Sequence, residues 1–433
     1  MSFFAAGMVR LARSDVWRHG AIVFVALVVV TVANYVFYAL AGRALRVEQY
    51  GEFMSLVSLT IIATTPAIVA QNVLGKLVAD LAAAGDDGAL AGIARFTQRF
   101  ALAAALVLLV IALIVRQPLA LLVHATDATL VPIAAGAAVG AFVLPLQRGM
   151  FQGAGRFGDL AASMLVEGIA RIVLVVPLAR AYGVRGALIA LLLSVLVPAA
   201  TSSARFRMLW PVVSKRSIDL RRAWYSAIGT GAGFLALTVM LYFDVILVRH
   251  FFAADVAGLY SAVSLVGRAI YTGVAFVPMV VIPKIVSRRA SGVSARPVAL
   301  LAVAVAVAVA VGAIGIVAAV PGRVIAAVGG AAFRPAAPML LPYAIAASSL
   351  AAANVAVAVR VGFHRFGHVV PLIVIAAAEI VAVAVRHATV TDVLQTIVVG
   401  HTAGLIATLA ADVVERRAAA WEAAPRERRE TVA

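Results

Sequence analysis

The sequence predicts an all-α polytopic membrane protein. About twelve transmembrane helices are expected, in two parallel six-helix bundles related by a pseudo-two-fold axis along the membrane normal. Three observations predict it. Hydrophobic residues make up 64% of the 433 and charged residues only 13%, against roughly 45–50% and about 25% in soluble domains. The apolar residues fall in runs long enough to cross a hydrocarbon core of about 30 Å as helices. A short pattern that follows the first run returns after the seventh.

The runs are about 20–42, 53–75, 98–115, 130–150, 160–181, 184–203, 224–247, 257–282, 298–320, 337–359, 368–385 and 391–413. Pro, Gln, Asn or His interrupts the fourth, tenth and twelfth. The ninth, "LLAVAVAVAVAVGAIGIVAAV", alternates Ala and Val as a strand would. Both residues are apolar, so length decides for a helix, and the small side chains suit close helix packing. Residues 1–19 carry Arg10, Arg13 and Arg18 and show no cleavable signal, so they read as a cytoplasmic segment. With Phe3, Phe4, Met8, Leu11 and Trp17 it would lie as an interfacial helix; a solvated basic tail is the plainer account. The expected organisation is then a bundle at 20–203, a basic cytoplasmic linker at 204–223, a bundle at 224–413 and a cytoplasmic tail at 414–433.

The repeated pattern is "RALRVEQYGEF", Arg43 to Phe53, and "RHFFAADVAGLY", Arg249 to Tyr260. Each has an arginine, an apolar residue (Leu45, Phe252) and a glycine two residues before an aromatic (Gly51/Phe53, Gly258/Tyr260). Read as loops, they follow the first span of each six-span half. Six is even, so the halves enter from the same side as parallel repeats. Basic residues orient the chain. With the N-terminus inside, the outer loops hold only Arg43, Arg46, Arg116, Arg180, Arg185, Arg249, Arg323, Arg334 and Arg386, against twenty-five Lys and Arg inside. Both termini are expected in the cytoplasm and both repeated loops outside. The +17 charge follows from this asymmetry beside anionic lipid, and no nucleic-acid partner is expected.

"NYVFYALAGRALRVEQYGEFMSLVSL", "DVILVRHFFAADVAGLYSAVSLVGRAI", "MVVIPKIV" and "RFGDLAASMLVEGIARIVLVVP" resemble the polysaccharide-transport family. This is the O-antigen and lipid-linked-oligosaccharide flippase branch of the multidrug/oligosaccharidyl-lipid/polysaccharide exporter superfamily, and the resemblance covers most of the first 290 residues. It implies a bacterial inner-membrane protein that moves a lipid-linked oligosaccharide to the outer leaflet by alternating access. The implied partners are that substrate, membrane lipids and a polysaccharide polymerase. The alternatives are a multidrug or cation antiporter of the related extrusion type and a membrane glycan polymerase. The short outer loops argue against the polymerase, leaving no room for a catalytic domain.

Polar residues at membrane depth are costly and are the first candidates for function. Glu167 and Arg171, four apart on one helical face, are either cavity residues or a self-neutralising ion pair. Arg268 has no acid nearby in sequence and is expected to face a cavity. Asn34, Gln71 and Asn72 are substrate-contacting or helix-packing groups. Asp244 and Glu379 are ion-coupling candidates, although Asp244 could simply pair with Arg249. Arg43, Gly51, Arg249 and Gly258 mark the repeated outer loops. The chain has no Cys and no Walker-type loop. His364 and His368 lack a third ligand and flank Arg365, so no metal and no cofactor is expected. No catalytic residues are expected, and the protein reads as a non-enzyme.

Overall fold

The computed structural model describes residues 2–210, 221–274 and 276–423. The middle of the expected linker 204–223 and the end of the expected tail 414–433 lie outside the described residues. All regular structure among the described residues is helical. Nine helices among them are long and apolar enough to cross a membrane. The chain divides into two compact units, Met1–Ala227 and Ile228–Ala433.

The first unit contains α1 (Ser2–Ala44), α2 (Val47–Ala83), α3 (Asp87–Ile114), α4 (Arg116–Leu122), α5 (Leu130–Gly153) and α6 (Phe157–Leu209). The segment expected as a separate interfacial helix is continuous with the first span in α1. At 53 residues α6 would reach about 80 Å, far beyond one crossing. It breaks at Gly183, where φ is 59° and ψ is −136°, a conformation open to a residue without Cβ. The expected runs 160–181 and 184–203 lie on either side of that break.

Helix α5 is central, packing on α2, α3 and α6, while α1 packs on α6. Gly149 and Gly153, four apart, allow α5 to approach α2 backbone to backbone. A Cβ on Gly149 would stand 2.6 Å from the Gln71 carbonyl oxygen, and one on Gly153 would overlap the Gly75 carbonyl. In lipid, where apolar burial does not drive helix association, such contacts carry the packing. The Thr60 hydroxyl adds a polar tie to the Ala134 carbonyl of α5 at 3.3 Å.

The repeated segment is not a loop. Only Leu45 and Arg46 separate α1 from α2, and Gly51 and Phe53 already lie inside α2. The Gln49 side chain explains this by accepting the Arg46 N–H at 3.1 Å, and Glu48 meets the positive end of the helix dipole. The second copy behaves alike, with α8 starting at Ala254 and Asp255 in its first turn.

The second unit contains α7 (Arg221–Phe251), α8 (Ala254–Gly273), α9 (Val277–Ala290), α10 (Arg296–Ala319) and α11 (Pro321–Gly329). A 3₁₀ turn (Ala331–Ala336), α12 (Ala337–Gly362), α13 (Val369–Val385) and α14 (Val390–Ala423) follow. The expected span 257–282 is therefore two helices. Pro278, in the first turn of α9, has no N–H to continue the ladder from α8. Helix α12 is central, packing on α8, α9, α10 and α14. The Ala/Val run is a helix, α10, with Ala302, Ala306 and Val317 turned inward and Val303, Val307 and Val311 exposed.

Replacing Gly153 with Val should lower thermal stability in detergent by about 1–3 kcal/mol, the usual cost of overpacking. Gly158→Val, at a position with open space around it, should leave the melting temperature nearly unchanged.

Candidate functional site

Each unit holds its own buried polar cluster. In the first, α6 presents Glu167 and Arg171 one turn apart, and α5 adds Arg148. Arg171 Nη2 lies 2.6 Å from Glu167 Oε1 and Arg148 Nη2 lies 2.6 Å from Oε2. Arg148 also donates from Nε to Ser163 Oγ and from Nη2 to the Ser163 carbonyl, both at 3.1 Å. Arg171 Nε donates to Ser194 Oγ at 3.3 Å, tying the two halves of α6 together across the Gly183 break. All three charged side chains are about nine-tenths buried.

The expected pair is thus a triad of two guanidiniums on one carboxylate, with one positive charge in excess. The orientation count places Arg148 among the inside basic residues, not in a site. A signal for it is present all the same: a carboxylate has two oxygens, and Arg171 occupies one. Next to Glu167, Gly168 packs on Ala33 of α1, the residue before Asn34. Asn34 is half-buried, and its Oδ1 has no hydrogen-bond partner among the described residues. Gln71 is half-buried with its backbone against α5, and Asn72 is exposed.

The second cluster centres on Asp244 of α7. Its Oδ2 accepts the hydroxyls of Tyr260 at 2.8 Å and Tyr343 at 2.7 Å, while Ser264 Oγ lies 3.1 Å from Tyr343 Oη. Two phenols hold the carboxylate. Asp244 Oδ1 has no hydrogen-bond partner among the described residues. Glu379 of α13 lies 3.5 Å from His401 Nε2 of α14, which also sits 3.3 Å from the Met240 carbonyl, one turn from Asp244. Glu379 Oε2 occupies the space a Cβ on Gly400 would fill, and it too has no hydrogen-bond partner among the described residues. Arg268, expected to face a cavity, is buried with its guanidinium 4.1 Å from the Tyr242 ring centroid. That cation–π contact accommodates a charge at this depth. His401 and Tyr343 are not among the residues the sequence singles out, and Tyr260 enters there only as the aromatic of the repeated pattern. A polar group on a distant helix gives no local signal of the partner it meets. Two acids, an imidazole and two phenols thus form the buried polar cluster of the second unit, and no group of His, Cys, Asp or Glu that could hold a metal ion occurs among the described residues.

Arg43 is exposed at the end of α1, Gly51 and Gly258 are buried in the first turns of α2 and α8, and Arg249 is buried at the end of α7. At the Gly51 end of the first unit, the Thr126 N–H and hydroxyl donate to Glu52 Oε1 at 2.6 and 2.9 Å. Nearby, Asp127 takes hydrogen bonds from the Thr129 hydroxyl and N–H and an ion pair from Arg185, which hold its carboxyl below the usual range. His368 is paired with Arg360, whose Nε donates to its Nδ1 at 3.1 Å.

No protein-family model matches the sequence, and no curated protein is similar to it by sequence. The fold has clear relatives among solved structures. An inward-facing multidrug resistance MATE family transporter of the MOP superfamily aligns with a TM-score of 0.73 at 13% identity, covering 90% of this chain and 97% of that one. The lipid II flippase MurJ, in an inward closed conformation, aligns at 0.62 and 12% identity over 90% and 87% of the two chains. A point mutant of the Vibrio cholerae MATE transporter VcmN aligns at 0.62 and 16% identity over 93% and 97%. The fold is that of the MATE and MurJ transporters.

Changing Glu167 to Gln removes the only anion of the triad and leaves two buried arginines facing each other. It should destabilise the protein by roughly 3–5 kcal/mol. Arg148→Gln leaves a neutral pair and should cost much less. Thermal unfolding of the three proteins in one detergent checks the order.

Proposed function

We propose that this chain is a transporter with about twelve spans, both termini cytoplasmic, in a bacterial inner membrane. Its substrate is a polyprenyl-diphosphate-linked oligosaccharide, carried from the inner to the outer leaflet by alternating access between two parallel six-helix bundles. The observation that carries this reading is the excess cation of the Arg148–Glu167–Arg171 triad. Guanidinium groups bind phosphate oxygens through paired N–H donors, and a buried positive charge suits a diphosphate at membrane depth. Glu167 positions both arginines, Arg268 supplies a second cation, and Asn34, Gln71 and Asn72 contact the sugars. The fold supports the reading, since one protein that shares it is a lipid II flippase by name. A polysaccharide polymerase is the partner that would consume the product.

One observation favours a second reading. The Asp244, Glu379 and His401 cluster is the kind of buried acid site a cation or proton antiporter needs, and several proteins of this fold are MATE transporters. Within a flippase the same cluster would couple transport to an ion.

Reconstitution separates the two. Proteoliposomes should expose a diphosphate-linked oligosaccharide at the far leaflet, and Arg148→Gln should slow this about 10- to 100-fold, the worth of a charged hydrogen bond. Asp244→Asn should not abolish binding of that lipid. Proton-driven efflux of a cationic dye by the parent, with no lipid movement, would establish the antiporter instead. Topology is checked separately, the chain having no native Cys. A single Cys at Glu48 should react with an impermeant reagent from outside only, and one at Asp87 from inside only.

A further inference from the structure

A guanidinium carries its N–H donors on three nitrogens in a fixed fork, so the donors of the triad can be followed one by one. Ser163 takes one edge of Arg148, its Oγ accepting from Nε and its carbonyl from Nη2, each at 3.1 Å. The same Nη2 also donates to Glu167 Oε2 at 2.6 Å. Arg171 gives Nε to Ser194 Oγ at 3.3 Å and sets Nη2 2.6 Å from Glu167 Oε1. On both arginines Nε and Nη2 are therefore engaged, and Nη1 has no hydrogen-bond partner among the described residues. The two side chains keep 11% and 9% of their surface accessible.

The serines are themselves fixed. Ser194 is fully buried and donates its own hydrogen to the Leu191 carbonyl at 2.7 Å, so what it offers Arg171 is a lone pair. Ser163 is buried one turn before Glu167 and meets Arg148 with two acceptors at once. A purely structural ion pair would gain by satisfying Nη1 too, because an N–H without an acceptor is costly inside a lipid-embedded protein. We infer that Ser163 and Ser194 are positioning residues: by holding Nε of each arginine they leave Nη1 as the donor that meets the anionic head of the transported lipid. The inference rests on the reading of the triad as a diphosphate site. Ser194 stands beyond the Gly183 break, so Arg171 is aimed by both halves of α6, whereas Arg148 is aimed from the first half alone.

Native mass spectrometry of the full-length protein in detergent tests this, with farnesyl diphosphate and farnesol as probes that share a chain and differ in the charged head. The parent should retain the diphosphate in clear preference to the alcohol. Ser194→Ala should weaken the diphosphate about tenfold, the lower end of what a hydrogen bond to a charged group is worth, and leave farnesol within about twofold. Ser163→Ala keeps the backbone carbonyl as an acceptor, so its loss of diphosphate should be smaller, about threefold. A general loosening of the fold would instead weaken both probes together. Unchanged diphosphate binding in either variant removes that serine from the role, and equal loss of both probes marks it as merely structural; in both cases the diphosphate reading of the triad stands. A parent that holds the two probes equally well overturns that reading and the inference with it.

Discussion

A buried ion in a lipid-embedded helix must find its counter-ion inside the protein, because the hydrocarbon offers none. Much of the interior of the first unit follows from that constraint. Glu167 takes Arg171 from its own helix and Arg148 from α5, and Arg171 reaches on to Ser194 beyond the Gly183 break. One carboxylate therefore fixes the register of α5 against α6 and the angle between the halves of α6. The glycine contacts of α5 with α2 act in the same direction, since they allow backbones to meet only at one height.

The second unit meets the same constraint with other chemistry. Asp244 is held by two neutral hydroxyls, which satisfy one oxygen without cancelling the charge. Glu379 has an imidazole as its neighbour. A carboxylate clamped between arginines stays ionised and serves structure. One held by phenols, or set beside a histidine, is tied by single hydrogen-bond partners on other helices. The two units thus hold their buried carboxylates differently, by guanidiniums in one and by phenols and an imidazole in the other.

Much of this architecture was legible in the sequence because lipid imposes a simple rule: long apolar runs become helices. The Ala/Val run of α10 and the break between runs at Gly183 both followed from it. What was not legible has a common physical origin. The start of α2 reads as a loop because Arg46, Glu48 and Gln49 are polar, whereas Gln49 caps the helix they begin. The span around Pro278 reads as continuous because hydropathy does not register a missing N–H. Arg148 and His401 escape a local reading because their partners lie on other helices, and only packing brings them together. Glu167, Arg171, Asp244 and Glu379 could be found, since a charge within an apolar run is conspicuous.

The repeated pattern at the start of α2 and α8 carries one more consequence. Its aromatic residue is Phe53 in the first copy and Tyr260 in the second. Phe53 rests against the rings of Phe37 and Tyr38 on the preceding helix, with centroids 6.0 and 6.4 Å away. Tyr260 reaches back to the preceding helix as well, but its hydroxyl meets Asp244. A single oxygen atom gives the second contact a polar tie that the first lacks. The two hairpins are alike in outline and unlike in what joins them: ring packing alone in the first, a hydrogen bond to a buried carboxylate in the second.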